Sequence, residues 1–356
     1  MSSAESPATS KRRIPLFDNA RFMAILLVVT GHAIQPLQDG SDAAAVTYLV
    51  IYAFHVPLFV LVSGYFAKDS LDRTALARLV TDLAVPYLIF ETIWTFVQWL
   101  VEGNTAVNYV KPSWTLWFLL ALIGWRLLLP LLAITRYPLL VSVIIAIAAG
   151  YTDDLDNTLA LSRTLGLLPF FVLGWRLRTW APGGKTLTER WEGAADRTVT
   201  LVRAAAAALF VGLLVVTVAA LPAWRELGVR YFFFYDDAYS VIDYDQWWAG
   251  ALRLGALGVG AAFSAALLVL LPRQSTWYTG LGGSTLYIYL LHTGVLYPLR
   301  ESGILADNAN DVTFVVMVVA AFVITLVLAS NPVRRIFRPL VEPRVPRLMA
   351  PGSLDR

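Results

Sequence analysis

The chain has 356 residues, of which 58% are hydrophobic and 15% charged, and its mean hydropathy is +0.63. An average soluble domain has about 25% charged and 45–50% apolar residues, so this composition excludes a disordered chain and argues against a soluble enzyme. The net charge of +3 is too small to indicate nucleic-acid binding. The absence of cysteine excludes disulfides, thiolate metal sites and cysteine nucleophiles. The composition therefore predicts a polytopic membrane protein.

Apolar segments of about 20 residues cross a bilayer as helices, because lipid offers no hydrogen-bond partner to a free backbone amide. The sequence predicts ten such segments, at residues 19–38, 46–66, 76–101, 113–133, 138–151, 160–177, 201–222, 246–271, 284–300 and 311–330. The predicted fold class is thus all-α, with about ten transmembrane helices. We predict a disordered cytoplasmic tail at 1–16, a transmembrane domain at 17–333 and a basic cytoplasmic tail at 334–356.

Basic residues are distributed unequally between the two sides of this arrangement. If the N-terminus is cytoplasmic, twenty Lys and Arg residues fall in cytoplasmic segments. Only five fall in extracytoplasmic segments, namely Lys111, Arg163, Arg225, Arg230 and Arg300. Cytoplasmic loops of membrane proteins carry an excess of Lys and Arg. Both termini are therefore predicted to be cytoplasmic.

All three histidines of the chain, His32, His55 and His292, lie inside predicted spans. Ionisable side chains at that depth are costly unless they face a cavity or a partner. A cavity shared by the first, second and ninth spans would accommodate all three, whereas simple hydrogen bonding between helices is the alternative. No carboxylate or thiolate stands at ligand spacing beside the histidines, so no bound metal is expected.

Arg21 and His32 lie eleven residues apart in the first span. Eleven residues make almost three whole helical turns, so both side chains project from one stripe, about 16 Å apart along the axis. A long ligand with an anionic head and a reactive tail would match this stripe. Asp18 is three residues before Arg21 and so is placed to orient it. The alternative is that Arg21 extends to the lipid headgroups.

The other charges within spans are Glu91, Arg126 and Arg253. They are candidates for a polar cavity, although Glu91 and Arg126 would also neutralise each other in a helix contact. Trp117 is either part of a substrate site or part of an interfacial aromatic belt. The aromatic and acidic loop at 231–248 is likewise either a substrate site, since its residue types suit sugar binding, or part of an interfacial aromatic belt.

Four blocks of sequence stand in a characteristic order. They are F-D-N-A-R-F to V-V-T-G-H at 17–32, F-H-V-P-L-F to S-G-Y-F at 54–66, W-T-L-W-F-L at 114–119 and G-G-S-T-L-Y-I-Y-L-L-H at 282–292. In these blocks the chain resembles the acyltransferase-3 family of integral membrane O-acyltransferases, most closely its fucose 4-O-acetylase-like branch. The matches are spread from residue 17 to about residue 330.

The resemblance implies transfer of an acyl group, usually acetyl, from acyl-CoA to a hydroxyl. It identifies His32 as the general base, a role that suits the side chain whose ordinary pKa lies nearest neutrality. Arg21 would hold the coenzyme or the charge of the catalytic site. Arg73 and Arg78 are further candidates for the coenzyme phosphates, but four residues separate them where the family has three.

The remaining candidates are assigned to substrate binding: His55, His292, Ser63, Glu91, Trp117 and Arg253. The expected acceptor is a carbohydrate or another hydroxylated molecule of the cell envelope or medium, and the expected location is the plasma membrane of a bacterium. A transporter or flippase of a saccharide or lipid-linked substrate is the alternative function. That alternative predicts two repeated halves with broken helices, and the sequence shows no such repeat.

Overall fold

The computed structural model describes residues 14–103, 107–153, 155–244 and 246–343, and over these residues the chain is all-α. The α-helices are α1 Pro15–Ile34, α2 Asp42–Tyr52, α3 His55–Tyr65, α4 Arg73–Leu79, α5 Val85–Glu102, α6 Trp117–Ala133, α7 Pro138–Ala149, α8 Leu161–Gly166, α9 Leu168–Thr179, α10 Leu187–Glu192, α11 Asp196–Ala219, α12 Leu221–Glu226, α13 Val229–Phe232, α14 Ala249–Leu270, α15 Thr285–Glu301, α16 Ile304–Asp307, α17 Asp311–Ala329 and α18 Asn331–Val341. A π-helical turn at Val80–Ala84 joins α4 to α5.

Six stretches are long and apolar enough to cross a membrane. They are Pro15–Leu37, Asp42–Tyr65, Arg73–Glu102, Asp196–Ala219, Ala249–Leu270 and Asp311–Ala329. The pair α8 and α9, bent by 57°, would make a seventh. All ten predicted segments coincide with helices, but α6 and α15 have 17 residues and α7 has 12. The protein is therefore a multi-pass helical membrane protein.

The two predicted tails are only partly described. Residues 1–13 of the predicted N-terminal tail lie outside the described residues, and α1 begins at Pro15. The predicted C-terminal tail starts within α18 and lies outside the described part of the chain from residue 344. The domain boundaries therefore stay predictions.

Prolines account for two breaks inside spans. Pro57 lies in the first turn of α3, and the backbone leaves helical geometry just before it, at Phe54. Pro169 likewise lies at the start of α9, after the bend that follows α8. A proline ring excludes the carbonyl four residues earlier and removes one N–H donor, so the preceding helix cannot continue regularly. The first of these breaks places His55 at the N-terminus of α3.

Contacts at or near the connections between helices define two ends of the helical bundle. At the first, here called the Arg21 end, Asn19 donates to the carbonyl of Pro272 at 2.9 Å, and Arg203 donates to that of Leu271 at 3.1 Å. Tyr65 contacts Thr188 across the same end.

The opposite end, here called the Arg300 end, is held by polar contacts between other connections. Lys111 pairs with Asp156 at 2.8 Å, and hydrogen bonds from Lys111 and Thr158 hold the pKa of Asp156 below its usual range. Arg225 pairs with Asp42 at 2.8 Å. The chain thus alternates between two ends as it passes along the bundle.

The contact between α3 and α9 is unusually close because each helix presents a glycine to the other. A Cβ atom on Gly64 would overlap the carbonyl of Phe171, and one on Gly174 would overlap the carbonyl of Leu61. Small residues at such crossings let the backbones of membrane helices approach. The S-G-Y segment of α3 thus serves helix packing.

Candidate active site

His32 and His292 meet in the middle of the bundle, although 260 residues separate them in sequence. His32 Nδ1 lies 3.0 Å from His292 Nε2, and the two rings are nearly parallel, 5.2 Å apart. His292 is fully buried, with 0% exposed, whereas His32 is partly accessible and lines a cavity. The helices α1 and α15 bring the two rings together.

Hydrogen bonding fixes the tautomer of each ring. His292 Nδ1 lies 2.9 Å from the carbonyl oxygen of Ile288, which only accepts, so this nitrogen carries the proton and donates. The neutral His292 ring must then accept at Nε2 from His32 Nδ1. His32 is left with an unprotonated Nε2 on the ring that lines the cavity. In this arrangement the free Nε2 of His32 is able to accept a proton, and His292 holds the His32 ring through its hydrogen bond.

Replacement of His292 by alanine is expected to lower turnover by about 10²-fold, because the tautomer and orientation of His32 are no longer fixed. Binding of the acyl donor that the resemblance implies should not change, since His292 is buried and does not line the His32 cavity. His292→Gln, whose amide oxygen also accepts a hydrogen bond, should recover part of the rate. Steady-state kinetics and donor binding measure this split, and equal turnover by His292→Ala and the wild type would contradict the assignment.

The cavity beside this pair, here called the His32 cavity, has a volume of about 290 Å³. It is lined by His32, Ala33, Gln35, Pro36, Tyr48, Tyr52, His55, Val56, Trp114, Thr115, Trp117, Arg163, Phe233, Phe234, Asp236, Thr293, Leu296, Tyr297, Arg300 and Leu305. Arg163 and Arg300 belong to the Arg300 end of the bundle, so the cavity lies on that side. Aromatic rings, hydroxyls and charged groups dominate its surface.

His55 and Trp117, which the sequence analysis assigned to substrate binding, both line this cavity. His55 is buried, with 1% exposed, and its Nδ1 donates to the carbonyl of Ile51 at 2.9 Å. Trp117 lies beneath the guanidinium of Arg163, 4.9 Å from ring centre to carbon. Arg163 in turn pairs with Asp236.

Part of the aromatic loop at 231–248 also reaches the cavity, through Phe233, Phe234 and Asp236. Burial raises the pKa of the neighbouring Asp237, and the negative charge of Asp236 raises it further, whereas Arg163 and Arg253 oppose this change. Asp245 of this loop lies outside the described residues.

Glu91 holds the turn that carries one residue of the cavity wall. Its carboxylate accepts hydrogen bonds from the backbone N–H of Ser113 at 3.0 Å and from the Ser113 hydroxyl at 2.6 Å. The next residue, Trp114, has a φ of 50°, in the left-handed region that a bulky side chain rarely adopts. Trp114 lies under Arg300, 4.4 Å from its guanidinium carbon. Glu91 therefore positions Trp114 and does not itself line the His32 cavity. The expected ion pair between Glu91 and Arg126 is not formed.

A second cavity, here called the Arg21 cavity, lies toward the other end and has a volume of about 200 Å³. It is lined by Arg21, Phe59, Val62, Ser63, Phe66, Phe118, Leu119, Leu122, Arg126, Thr285, Leu286 and Tyr289. Asp18 pairs with Arg21 at 3.3 Å, and the guanidinium carbon of Arg21 lies 4.1 Å from the centre of the Phe66 ring. Arg21 and His32 thus occupy different cavities on the same helix.

Four of the predicted site residues do not reach the histidine pair. Ser63 lines the Arg21 cavity and donates to the carbonyl of Phe59 at 2.8 Å. Arg253 is 3% exposed and donates to the carbonyl of Asp237, so it holds the outer loop. Arg73 and Arg78 lie exposed on α4 and do not line the Arg21 cavity.

The sequence did not single out several residues that line the two cavities. Arg163 and Arg300 counted only as extracytoplasmic charges, and Tyr289 only as part of a motif. Arg126 was recognised as a charge within a span, but nothing in the sequence joined it to Arg21. The position of Arg126 within a span was the only sign of its role in the sequence, because a charge at that depth requires a polar environment.

A multi-pass helical protein with a hydrogen-bonded histidine pair beside one cavity and a second cavity toward the other end has the features of a membrane enzyme that transfers a group between substrates. Comparison with known proteins identifies the family: residues 14–330 match an acyltransferase domain, that of the acyltransferase-3 family. The chain belongs to this family and is a membrane acyltransferase, so it acts on an acyl donor and a hydroxyl acceptor.

Two named relatives were found. The "Nodulation protein NolL" of Mesorhizobium japonicum is 25% identical over 351 residues, covering 91% of this chain and 88% of the relative. The protein of the same name from Sinorhizobium fredii is 31% identical over 185 residues, covering 47% of this chain and 49% of that protein. No solved structure matches the chain.

Proposed function

We propose that this enzyme transfers an acetyl group from acetyl-CoA to a hydroxyl of a carbohydrate. The observation that carries the proposal is the histidine pair, in which His32 has a free Nε2 in a cavity lined by rings and polar groups. The carbohydrate hydroxyl would enter the His32 cavity and lose its proton to His32 as its oxygen attacks the thioester. The resulting ester is the product, and the thiol of coenzyme A is released.

The coenzyme would enter by the Arg21 cavity. Arg21 and Arg126 both line this cavity, and a guanidinium is always charged and donates several hydrogen bonds to a phosphate. The separation of about 16 Å between Arg21 and His32 along α1 is comparable with the length of an extended pantetheine arm. The thioester would thus reach His32 while the phosphates stay at the Arg21 end.

This direction of approach follows from the ten-span arrangement predicted from the sequence, with both termini in the cytoplasm. In that arrangement the chain would alternate between the Arg21 end and the Arg300 end with each segment. The few extracytoplasmic cations predicted from the sequence, such as Lys111, Arg163 and Arg300, take part in contacts at the Arg300 end. We therefore place the Arg21 end in the cytoplasm, where acyl-CoA is made, and the protein in the plasma membrane of a bacterium.

Acetyl-CoA turnover tests this function. The wild-type protein in nanodiscs should bind acetyl-CoA and release free coenzyme A when methyl α-L-fucopyranoside is added as a hydroxyl probe, and a thiol reagent can follow the release because the chain has no cysteine. Arg21→Gln should weaken acetyl-CoA binding by about tenfold, since it removes one charged contact to phosphate. Arg176→Gln is the matched control, because Arg176 lies near the same end without lining the Arg21 cavity. Failure of the wild type to bind acetyl-CoA would contradict the proposal and favour the transporter alternative.

A further inference from the structure

A layer of aromatic rings separates the two cavities. Phe59 of α3, Phe118 of α6 and Tyr289 of α15 line the Arg21 cavity. Three or four residues away along the chain, Val56 of α3, Thr115 just before α6 and Thr293 of α15 line the His32 cavity. The ring of Phe118 lies 5.0 Å from that of Phe59 and 5.7 Å from that of Tyr289. An acyl group that travels from Arg21 toward His32 must therefore cross this layer.

Tyr289 supplies the polar atom of the layer. It is 7% exposed, and its hydroxyl makes no hydrogen bond with the residues that the structure describes, although the Thr115 side chain and the Phe118 backbone lie near it. A buried hydroxyl without a partner is costly, and packing alone would be served as well by phenylalanine. Tyr289 precedes His292 by three residues on α15, and the two rings lie 6.2 Å apart. The Tyr289 ring is therefore close to the histidine pair, and its hydroxyl lies near Thr115, which lines the His32 cavity.

We propose that Tyr289 is a catalytic residue that closes the layer between the cavities and donates its hydroxyl hydrogen to the thioester oxygen. This proposal rests on the proposed function. The acceptor oxygen bonds to the carbonyl carbon, its proton passes to Nε2 of His32, and the carbonyl electron pair moves to the oxygen that Tyr289 holds. The pair then returns, the carbon–sulfur bond breaks, and the thiolate takes the proton from His32.

The hydroxyl is tested by Tyr289→Phe, which keeps the ring and therefore the layer. Coenzyme A release from acetyl-CoA, with methyl α-L-fucopyranoside as probe, should fall by about 10²–10³-fold, the usual effect of removing one donor to an oxyanion. Acetyl-CoA binding should change by less than about twofold. Tyr87→Phe is the matched control, since its hydroxyl donates to the carbonyl of Tyr109 and lines neither cavity. Turnover by Tyr289→Phe within about threefold of the wild type would overturn the catalytic role.

The layer is tested without any acyl donor. Because the natural chain has no cysteine, Ser63→Cys places a single thiol in the Arg21 cavity and Thr115→Cys places one in the His32 cavity. In vesicles of known orientation, a membrane-impermeant thiol reagent should label each position from one side only, and from opposite sides. Adding Tyr289→Ala should make both positions reactive from either side.

Each result has a distinct meaning. Labelling of Ser63→Cys from both sides with Tyr289 intact would overturn the closed layer, whatever the substrate is. One-sided labelling in a protein that fails to bind acetyl-CoA would retain the layer and reject the proposed function, and the catalytic role of Tyr289 with it. One-sided labelling together with loss of turnover in Tyr289→Phe would support both parts.

Discussion

His32→Ala is expected to lose acyl transfer almost completely while it still binds acetyl-CoA. A positioned general base contributes about 10²–10⁴-fold to a rate, and His32 carries the free imidazole nitrogen of the histidine pair in the His32 cavity. Arg21 and the rest of the Arg21 cavity are unchanged by this substitution, so the dissociation constant of acetyl-CoA should stay within about twofold. Coenzyme A release and equilibrium binding, measured on the same preparation, separate the two effects.

His55→Ala is the matched control for this substitution. It removes a second buried histidine from the same cavity, but His55 bonds only to the carbonyl of Ile51 and does not contact the histidine pair. Its effect should fall mainly on the KM for the hydroxyl probe. Added imidazole should restore part of the turnover of His32→Ala, because the deleted ring leaves room for it. Equal losses of kcat in the two variants would show that His32 has no special role.

The second large effect is on folding, and it concerns Gly174. A methyl group there would overlap the carbonyl of Leu61 and lie 2.8 Å from the backbone nitrogen of Tyr65. Backbone atoms cannot move aside as a side chain can, so α3 and α9 would have to separate. Overpacking costs about 1–3 kcal/mol and sometimes more, and we expect Gly174→Ala to reach or exceed the upper part of that range. Thermal unfolding in detergent measures the loss.

Gly258→Ala provides the control. A Cβ atom on Gly258 would meet no atom within 4 Å, and alanine favours a helix over glycine by about 1 kcal/mol. Its unfolding temperature should therefore equal or exceed that of the wild type. If Gly174→Ala unfolded at the wild-type temperature, the close crossing of α3 and α9 would be wrong.

Local properties of the sequence were enough to predict the helical segments. Each of the ten apolar runs is helical, in one helix or in two consecutive ones, because run length and composition act within one segment. The exact geometry of the spans could not be predicted from these local properties. Hydropathy does not reveal that Pro57 and Pro169 interrupt two of them, although proline chemistry explains both breaks once they are seen.

The chemistry of single residues was also readable. His32 and Arg21 stood out because an ionisable group within a span requires a polar surrounding, and the structure places each of them in a cavity. Glu91 and Arg253 met the same criterion, yet Glu91 fastens the turn at Ser113 and Arg253 holds the outer loop. Charge at depth thus identified residues with polar surroundings and could not distinguish a substrate site from a structural contact.

The sequence by itself determined the class of protein and the helical segments, and it predicted which histidine acts as a base. Only the tertiary structure decided that His292 orients His32, that the two cavities are separate and that Tyr289 lies between them. The physical reason is distance along the chain. Helix formation and membrane insertion depend on neighbouring residues, whereas the bond between His32 and His292 joins residues 260 positions apart. Such a contact exists only after α1 and α15 have packed together.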